Sequence, residues 1–177
     1  MSKPKLILIA ILLAGIIGTG VAGIHRAQDH QATSNLAVVS GGPAVGSLSP
    51  DFTLKDLHGQ PHRLSEYRGK RVTLAFFCGC DRCHAAAKKI AALERAGSMG
   101  PIVSVIALDT DGGKEFMHST GIRGAVLTDP NETVAQKYVS EFCPRLWQVG
   151  PDGKIAYASG IALENGELDS SLRTLSR

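Results

Sequence analysis

Charge of one sign is scarce in this chain. The 19 Lys and Arg set against 16 Asp and Glu leave a net charge of only +3, with the basic residues scattered along the sequence. A nucleic-acid surface needs a concentrated basic face, so no nucleic-acid partner is expected. No internal repeat or low-complexity tract is present, and 177 residues leave room for one ordinary domain with an appendage. His25, His30, His58, His62 and His118 show no metal-ligand spacing and receive no role. Cysteine is also sparse: there are four, and three of them fall within six residues.

What is present begins with a long apolar run. Lys3 and Lys5 precede Leu6–Ile24, LILIAILLAGIIGTGVAGI, which carries no charge and is close to the roughly 20 residues that cross a bilayer as a helix. Two fates fit it: an uncleaved signal anchor, which is favoured, or a cleaved signal peptide with small residues near Val21-Ala22-Gly23. No cysteine follows the run, which argues against lipoprotein processing. The positive-inside rule puts the amino terminus in the cytoplasm and exports the remainder. The expected location is therefore the bacterial cell envelope, anchored to the cytoplasmic membrane and facing the periplasm or exterior, or secreted if the segment is cleaved.

Three segments follow from this: 1–24 as signal anchor or signal peptide, 25–45 as a flexible linker of small, polar and glycine residues, and 46–177 as the domain. Within the domain, the turn at His58-Gly59 suggests a hairpin. RVTLAFF (Arg71–Phe77) and PIVSVIAL (Pro101–Leu108) read as strands buried on both faces, and AVL as a short third. AAAKKIAALERAG reads as a helix ending at Gly97, and GKEFMHSTG as a second ending at Gly121. Asp129-Pro130-Asn131-Glu132 reads as a helix start, with Asp129 as N-cap, Pro130 in the first position and Glu132 completing a capping box. RLWQV and KIAYAS flank a Gly150–Gly153 turn, and LDSSLRTLS supplies a closing helix. This order describes an α/β domain, a central mixed sheet flanked by helices.

The chemistry concentrates in FFCGCDRCHAAAKKIAAL, Phe76–Leu93. Cys80 and Cys83 stand where a buried strand gives way to a helix. Unpaired N–H groups and the positive end of the helix dipole there favour a thiolate over a thiol. Cys80 is the expected attacking thiolate and Cys83, one turn on, the resolving sulfur. Arg82 adds a cation, partly cancelled by Asp81. Closely spaced cysteines suit exchange better than stapling, since a staple gains from a long loop.

PDFTLKDLHGQPHRLSEYRGKRVTLAFF, VSVIALDTD, LTDPNETVAQKYV and CPRLWQVGPDGKIAYASG together resemble the thioredoxin-like redoxins. That group joins the alkyl hydroperoxide reductase and thiol-specific antioxidant proteins to membrane-anchored TlpA-type thiol-disulfide oxidoreductases. The resemblance covers roughly Gly46 to Leu175 and implies a thioredoxin-like fold. It also implies that Pro144 is the proline, usually cis, that faces the CxxC and shapes the docking groove, with Cys143 set against Cys80. It implies no dissociable cofactor. The partners it implies are protein thiols and disulfides, together with a second redox protein that recharges the dithiol.

The sequence departs from that pattern in places. Gly79 replaces the usual aromatic residue, the loop is one residue shorter, Cys78 is extra, and Ala75 stands where many thioredoxins bury an acid. Peroxiredoxins carry a threonine three residues before the peroxide-attacking cysteine, but the positions before Cys78, Cys80 and Cys83 are Ala75, Phe77 and Cys80. Thiol peroxidase activity is thus the alternative within the same fold. A metal-binding or metal-delivering module, with Cys78, Cys80, Cys83 and Cys143 as thiolates, is the alternative from another class. No metal is assigned. Cys80-x-x-Cys83-His84 also meets the minimal haem-attachment pattern, but His84 opens a helix of a sheet domain and is read as tuning the thiols. Cys78, ending a strand, has packing in the core as its plain alternative, and a second redox pair formed by Cys78 and Cys143 is the other reading left open. Arg145 is expected as a solvated strand-edge residue, Trp147 as core, and Asp109 and Asp111 as turn or cap residues.

Overall fold

In a computed structural model, residues 41–138, 143–160 and 165–176 are described. The apolar run Leu6–Ile24 and the linker up to residue 40 lie outside the described residues. Among the described residues, no helix is long and apolar enough to cross a membrane.

The chain runs β1 (Thr53–Asp56), β2 (Pro61–Arg63), a 3-10 turn (Leu64–Tyr67), β3 (Val72–Phe77), α1 (Asp81–Arg95), β4 (Ile102–Ile106), α2 (Thr110–Thr120), β5 (Ala125–Thr128), α3 (Thr133–Lys137), β6 (Arg145–Val149), β7 (Ile155–Ala158) and α4 (Asn165–Leu175). The strands form one sheet in the order β2-β1-β5-β4-β3-β6-β7. β3, β4 and β5 are parallel, joined by helical crossovers, while β6 runs antiparallel to β3. Every residue of β3, β4 and β6 is buried, as central strands covered on both faces must be.

Alternation along β3 sends Ala75 and Phe77 to one core and Leu74 and Phe76 to the other. The first core packs under α1, where Ala86, Ala87, Ile90 and Ala91 recur at helical spacing, and is closed by Phe116 of α2 and by Leu168 and Leu172 of α4. The second holds Trp147, Tyr138 and Phe52. These α1 residues share one core with Ala75 and Phe77 of β3, which fixes the end of that strand and the start of that helix relative to each other. At its other end, the Glu94 carboxylate accepts from the N–H groups of Arg123 at 3.0 Å and Gly124 at 3.1 Å, tying α1 to the entry of β5.

Two expectations need correction. Helix α3 starts at Thr133 rather than Pro130. Asp129–Glu132 close a tight turn instead, the Glu132 N–H donating to the Asp129 carbonyl at 2.9 Å, and Glu132 makes no capping bond. Asp129 still caps, from outside the helix. Its buried carboxylate accepts from the N–H groups of Thr133 (3.0 Å), Val134 (2.9 Å) and Ala135 (2.9 Å) and from the Thr133 hydroxyl (3.0 Å). Both oxygens can reach three orphan donors from that distance, which an N-cap immediately before Pro130 could not do.

Arg145 is fully buried, not solvated. The hairpin partner β7 takes the sheet edge, leaving β6 interior. The guanidinium lies over the Trp147 ring, 4.9 Å from its centroid, and donates to the Ser159 carbonyl at 3.1 Å. Burial pushes its pKa below the usual value. Asp109 caps α2 as expected, accepting from the Gly112 N–H at 2.9 Å.

Candidate redox site

β3 ends at Phe77, and Cys78, Gly79 and Cys80 turn the chain into α1. Gly79 has φ +82°, a left-handed conformation that favours glycine, and a Cβ there would stand 3.1 Å from Leu108 Cδ1. Cys80 is the N-cap of α1 and is exposed, while Cys83 lies in the first turn and is fully buried. Opposite them, the Cys143-Pro144 peptide bond is cis. The structure therefore brings Cys80, Cys83, Cys143 and Pro144 together where β3 ends and β6 begins, in the middle of the sheet.

Cys78 does not pack in the core. It is exposed and forms a disulfide with Cys143 across 65 residues of sequence, joining the end of β3 to the residue before Pro144. The expectation that these cysteines lie too close together to tie distant elements therefore fails for Cys78. Its partner is the distant fourth cysteine. The four sulfurs all lie within 4.8 Å of one another. Cys83 Sγ is 3.7 Å from Cys78 Sγ and accepts from the Cys78 N–H at 3.3 Å.

The two free thiols are tuned in opposite directions. Partial desolvation works against ionisation of Cys80. It is outweighed by the Cys83 N–H and thiol, then by the Arg82 N–H and the Arg82 charge, and the Cys80 pKa falls below that of an ordinary thiol. Burial above all, and then the charge of Cys80, push Cys83 up to about 12, although the N–H groups of Cys78 and Gly79 oppose the rise. An exposed thiol of lowered pKa thus stands beside a buried thiol of raised pKa.

His84 Nδ1 lies 3.2 Å from the Cys80 carbonyl oxygen, and its ring packs 4.6 Å from Phe116, centroid to centroid. It braces the first turn of α1 against α2. This contact is with the backbone of Cys80, so any influence on the sulfur is through position. Ala75 is fully buried and brings no acid near the thiols.

Residues 45–158 match the family described as AhpC/TSA. The chain belongs to the AhpC/TSA family. Among curated relatives, the thiol-disulfide oxidoreductase ResA of Geobacillus thermodenitrificans is 30% identical over 122 residues, 63% of this chain and 67% of that one. ResA of Bacillus subtilis is 29% identical over 127 residues, 67% and 70% of the two chains. Among solved structures, the thioredoxin domain of a Bacteroides vulgatus thiol-disulfide oxidoreductase superposes with a TM-score of 0.61 at 22% identity, covering 76% of this chain and 99% of that one. Peroxidoxin BcpB from Mycobacterium tuberculosis gives 0.64 at 20% identity, covering 74% and 95%. At these identities the structural likeness is one of fold, and that fold is thioredoxin-like, a central mixed sheet flanked by helices. Within this AhpC/TSA domain, the sequence left open whether Cys78 and Cys143 pack, form a second redox pair or bind metal, and the structure joins them in a disulfide. The signal available was the placement of Cys143 opposite the CxxC, with Cys78 on the strand that enters it.

Proposed function

We propose that this chain is a thiol-disulfide oxidoreductase that exchanges disulfides with protein partners through Cys80 and Cys83. The observation that carries the reading is the opposite tuning of an exposed N-cap thiol and a buried thiol one turn later, beside cis-Pro144. Cys80, as thiolate, attacks one sulfur of a partner disulfide, and the other sulfur leaves as a thiolate that takes up a proton. The mixed disulfide removes the negative charge from Cys80, and with it one of the influences that keep Cys83 protonated. Cys83, already accepting from the Cys78 N–H, then loses its proton and attacks Cys80. The products are the Cys80–Cys83 disulfide and two partner thiols. A second dithiol protein must recharge the chain after each turnover, and in the reverse cycle the chain would oxidise its partners.

The apolar run Leu6–Ile24 after Lys3 and Lys5 supports tethering to the outer face of a bacterial cytoplasmic membrane, with residues 25–45 as a tether and 46–177 as the redox domain. Peroxide reduction fits less well. Phe77, three residues before Cys80, is buried in the core and offers no hydroxyl to orient a peroxide.

The test is reduction of insulin disulfides by the wild-type chain and by Cys80→Ser, with dithiothreitol as recharging agent. Wild type should accelerate the reaction and the variant should not. Equal activity of the two would remove Cys80 from the role of nucleophile.

A further inference from the structure

The catalytic dithiol sits in contact with a disulfide that the proposed turnover does not use. From the four-sulfur cluster we infer that Cys78 and Cys143 are a second redox pair, in direct exchange with Cys80 and Cys83, so that one chain stores two disulfide equivalents and passes both through Cys80. This inference rests on the oxidoreductase reading above.

The geometry is specific about the route. Cys83 Sγ stands 3.7 Å from Cys78 Sγ, and the Cys78 N–H donates to it. Exchange proceeds by attack of a thiolate on a disulfide sulfur. Deprotonated Cys83 attacks Cys78 Sγ, the Cys78–Cys143 bond breaks, and Cys143 leaves as a thiolate that takes up a proton. Cys80, which lies within 4.8 Å of every sulfur in the cluster, then attacks Cys83 Sγ and releases Cys78 as a thiolate, which is protonated in turn. The dithiol has been oxidised and the Cys78–Cys143 disulfide reduced. Two electrons have moved between the pairs, and the two protons lost by Cys80 and Cys83 balance the two gained by Cys78 and Cys143. No external reactant enters these steps. The partner disulfide oxidises the Cys80–Cys83 pair, and a partner dithiol reloads the cluster.

The arrangement also separates the pairs by role. Cys80 meets partners at the exposed end of α1, whereas the Cys78–Cys143 bond joins the end of β3 to the residue before Pro144, so its oxidation state and the position of that proline are linked by a covalent bond. Run in reverse from reduced Cys78 and Cys143, the same steps return the Cys80–Cys83 disulfide to the dithiol, so a reservoir in this position refills it without a second docking event.

The experiment uses the full chain, reduced completely and desalted, mixed with an excess of a single-disulfide reporter peptide whose fluorescence rises on reduction. Wild type should reduce two equivalents per chain, Cys143→Ser one, and Cys80→Ser none. One equivalent from both wild type and Cys143→Ser would overturn the reservoir and leave the proposed oxidoreductase intact. None from wild type would sink the oxidoreductase reading as well. Any equivalent from Cys80→Ser would mean that Cys78 and Cys143 react with partners directly, which also overturns the relay.

A second measurement does not depend on how well the Cys143 variant folds. Acid-quenched, alkylated Cys80→Ser should yield both Cys78–Cys143 and Cys78–Cys83 linked peptides. Finding only Cys78–Cys143, or finding all four thiols of the wild type held by stoichiometric zinc, would rule the exchange out.

Discussion

Helices α1 and α3 each meet a potential anion at the amino end, and they treat it differently. At α3 the anion is the Asp129 carboxylate, 1% exposed, with three backbone N–H groups and a hydroxyl donating to it. At α1 it is the Cys80 sulfur, which is exposed and makes no capping hydrogen bond through its side chain. The same concentration of unpaired N–H groups is present in both places. Where the donors are fully taken up, the result is a structural cap. Where they are left facing an exposed sulfur, they lower the pKa of a thiol that stays accessible.

The sharpest way to break this contrast is to remove each anion. Cys80→Ser should lower disulfide-reductase activity by at least about 1000-fold, because no other sulfur combines exposure with a depressed pKa. Its melting temperature should stay within about 2 °C of wild type, as expected for an exposed side chain with no capping bond. Asp129→Ala should do the opposite. Orphaning the buried donors of α3 should cost about 2–4 kcal/mol in denaturant unfolding, with activity per folded molecule retained. A loss below about 1 kcal/mol would mean that other groups or water replace the carboxylate, and the contrast would lose its structural half.

A smaller effect tests whether the α1 donors really are left over. Cys80→Asp places a good capping residue where the sulfur was, and it should raise unfolding stability by about 0.5–1 kcal/mol while leaving the chain inactive. Unchanged stability would indicate that the backbone at Cys80, φ −73° and ψ 167°, does not let a side chain reach the donors. The electrostatic account of the thiolate would then need another source.

The legible and illegible parts of this protein divide along the same physical line. Strands β3 and β4, helix α1 and the Gly150–Gly153 hairpin could be read because each is specified by its own residues: unbroken apolar runs, alanine with spaced Ile90, and turn residues between two strands. The position of Cys80 at a strand-to-helix junction was readable for the same reason. Arg145 was misread because its burial depends on which strand takes the sheet edge, a property of the whole sheet order. The start of α3 was misread because the carboxylate that caps it lies four residues earlier, across a turn whose left-handed Glu132 (φ 55°) has no strong local signature. The Cys78–Cys143 bond joins residues 65 apart, and no local pattern specifies such a pairing.

The last and smallest effect concerns Arg82, whose charge is the final contributor lowering the Cys80 pKa, behind the groups of Cys83 and its own N–H. Arg82 is exposed, so salt screens it. Alkylation of Cys80 by iodoacetamide, followed against pH, should have its midpoint below that of an ordinary thiol in wild type. In Arg82→Ala the midpoint should move up only part of the way, with the rate at neutral pH falling less than about threefold. The difference between the two proteins should shrink in 1 M salt, where screening is strong.

In the reduced chain, the lowered Cys80 pKa contributes stability above the unfolded thiol value, and that contribution is lost as pH falls through the folded one. The raised Cys83 pKa contributes stability below the unfolded value, lost as pH rises toward about 12. If Arg82→Ala alone restored an ordinary midpoint, the side chain and not the helix end would be the source of the reactive sulfur. The comparison between α1 and α3 would then fail at its central step.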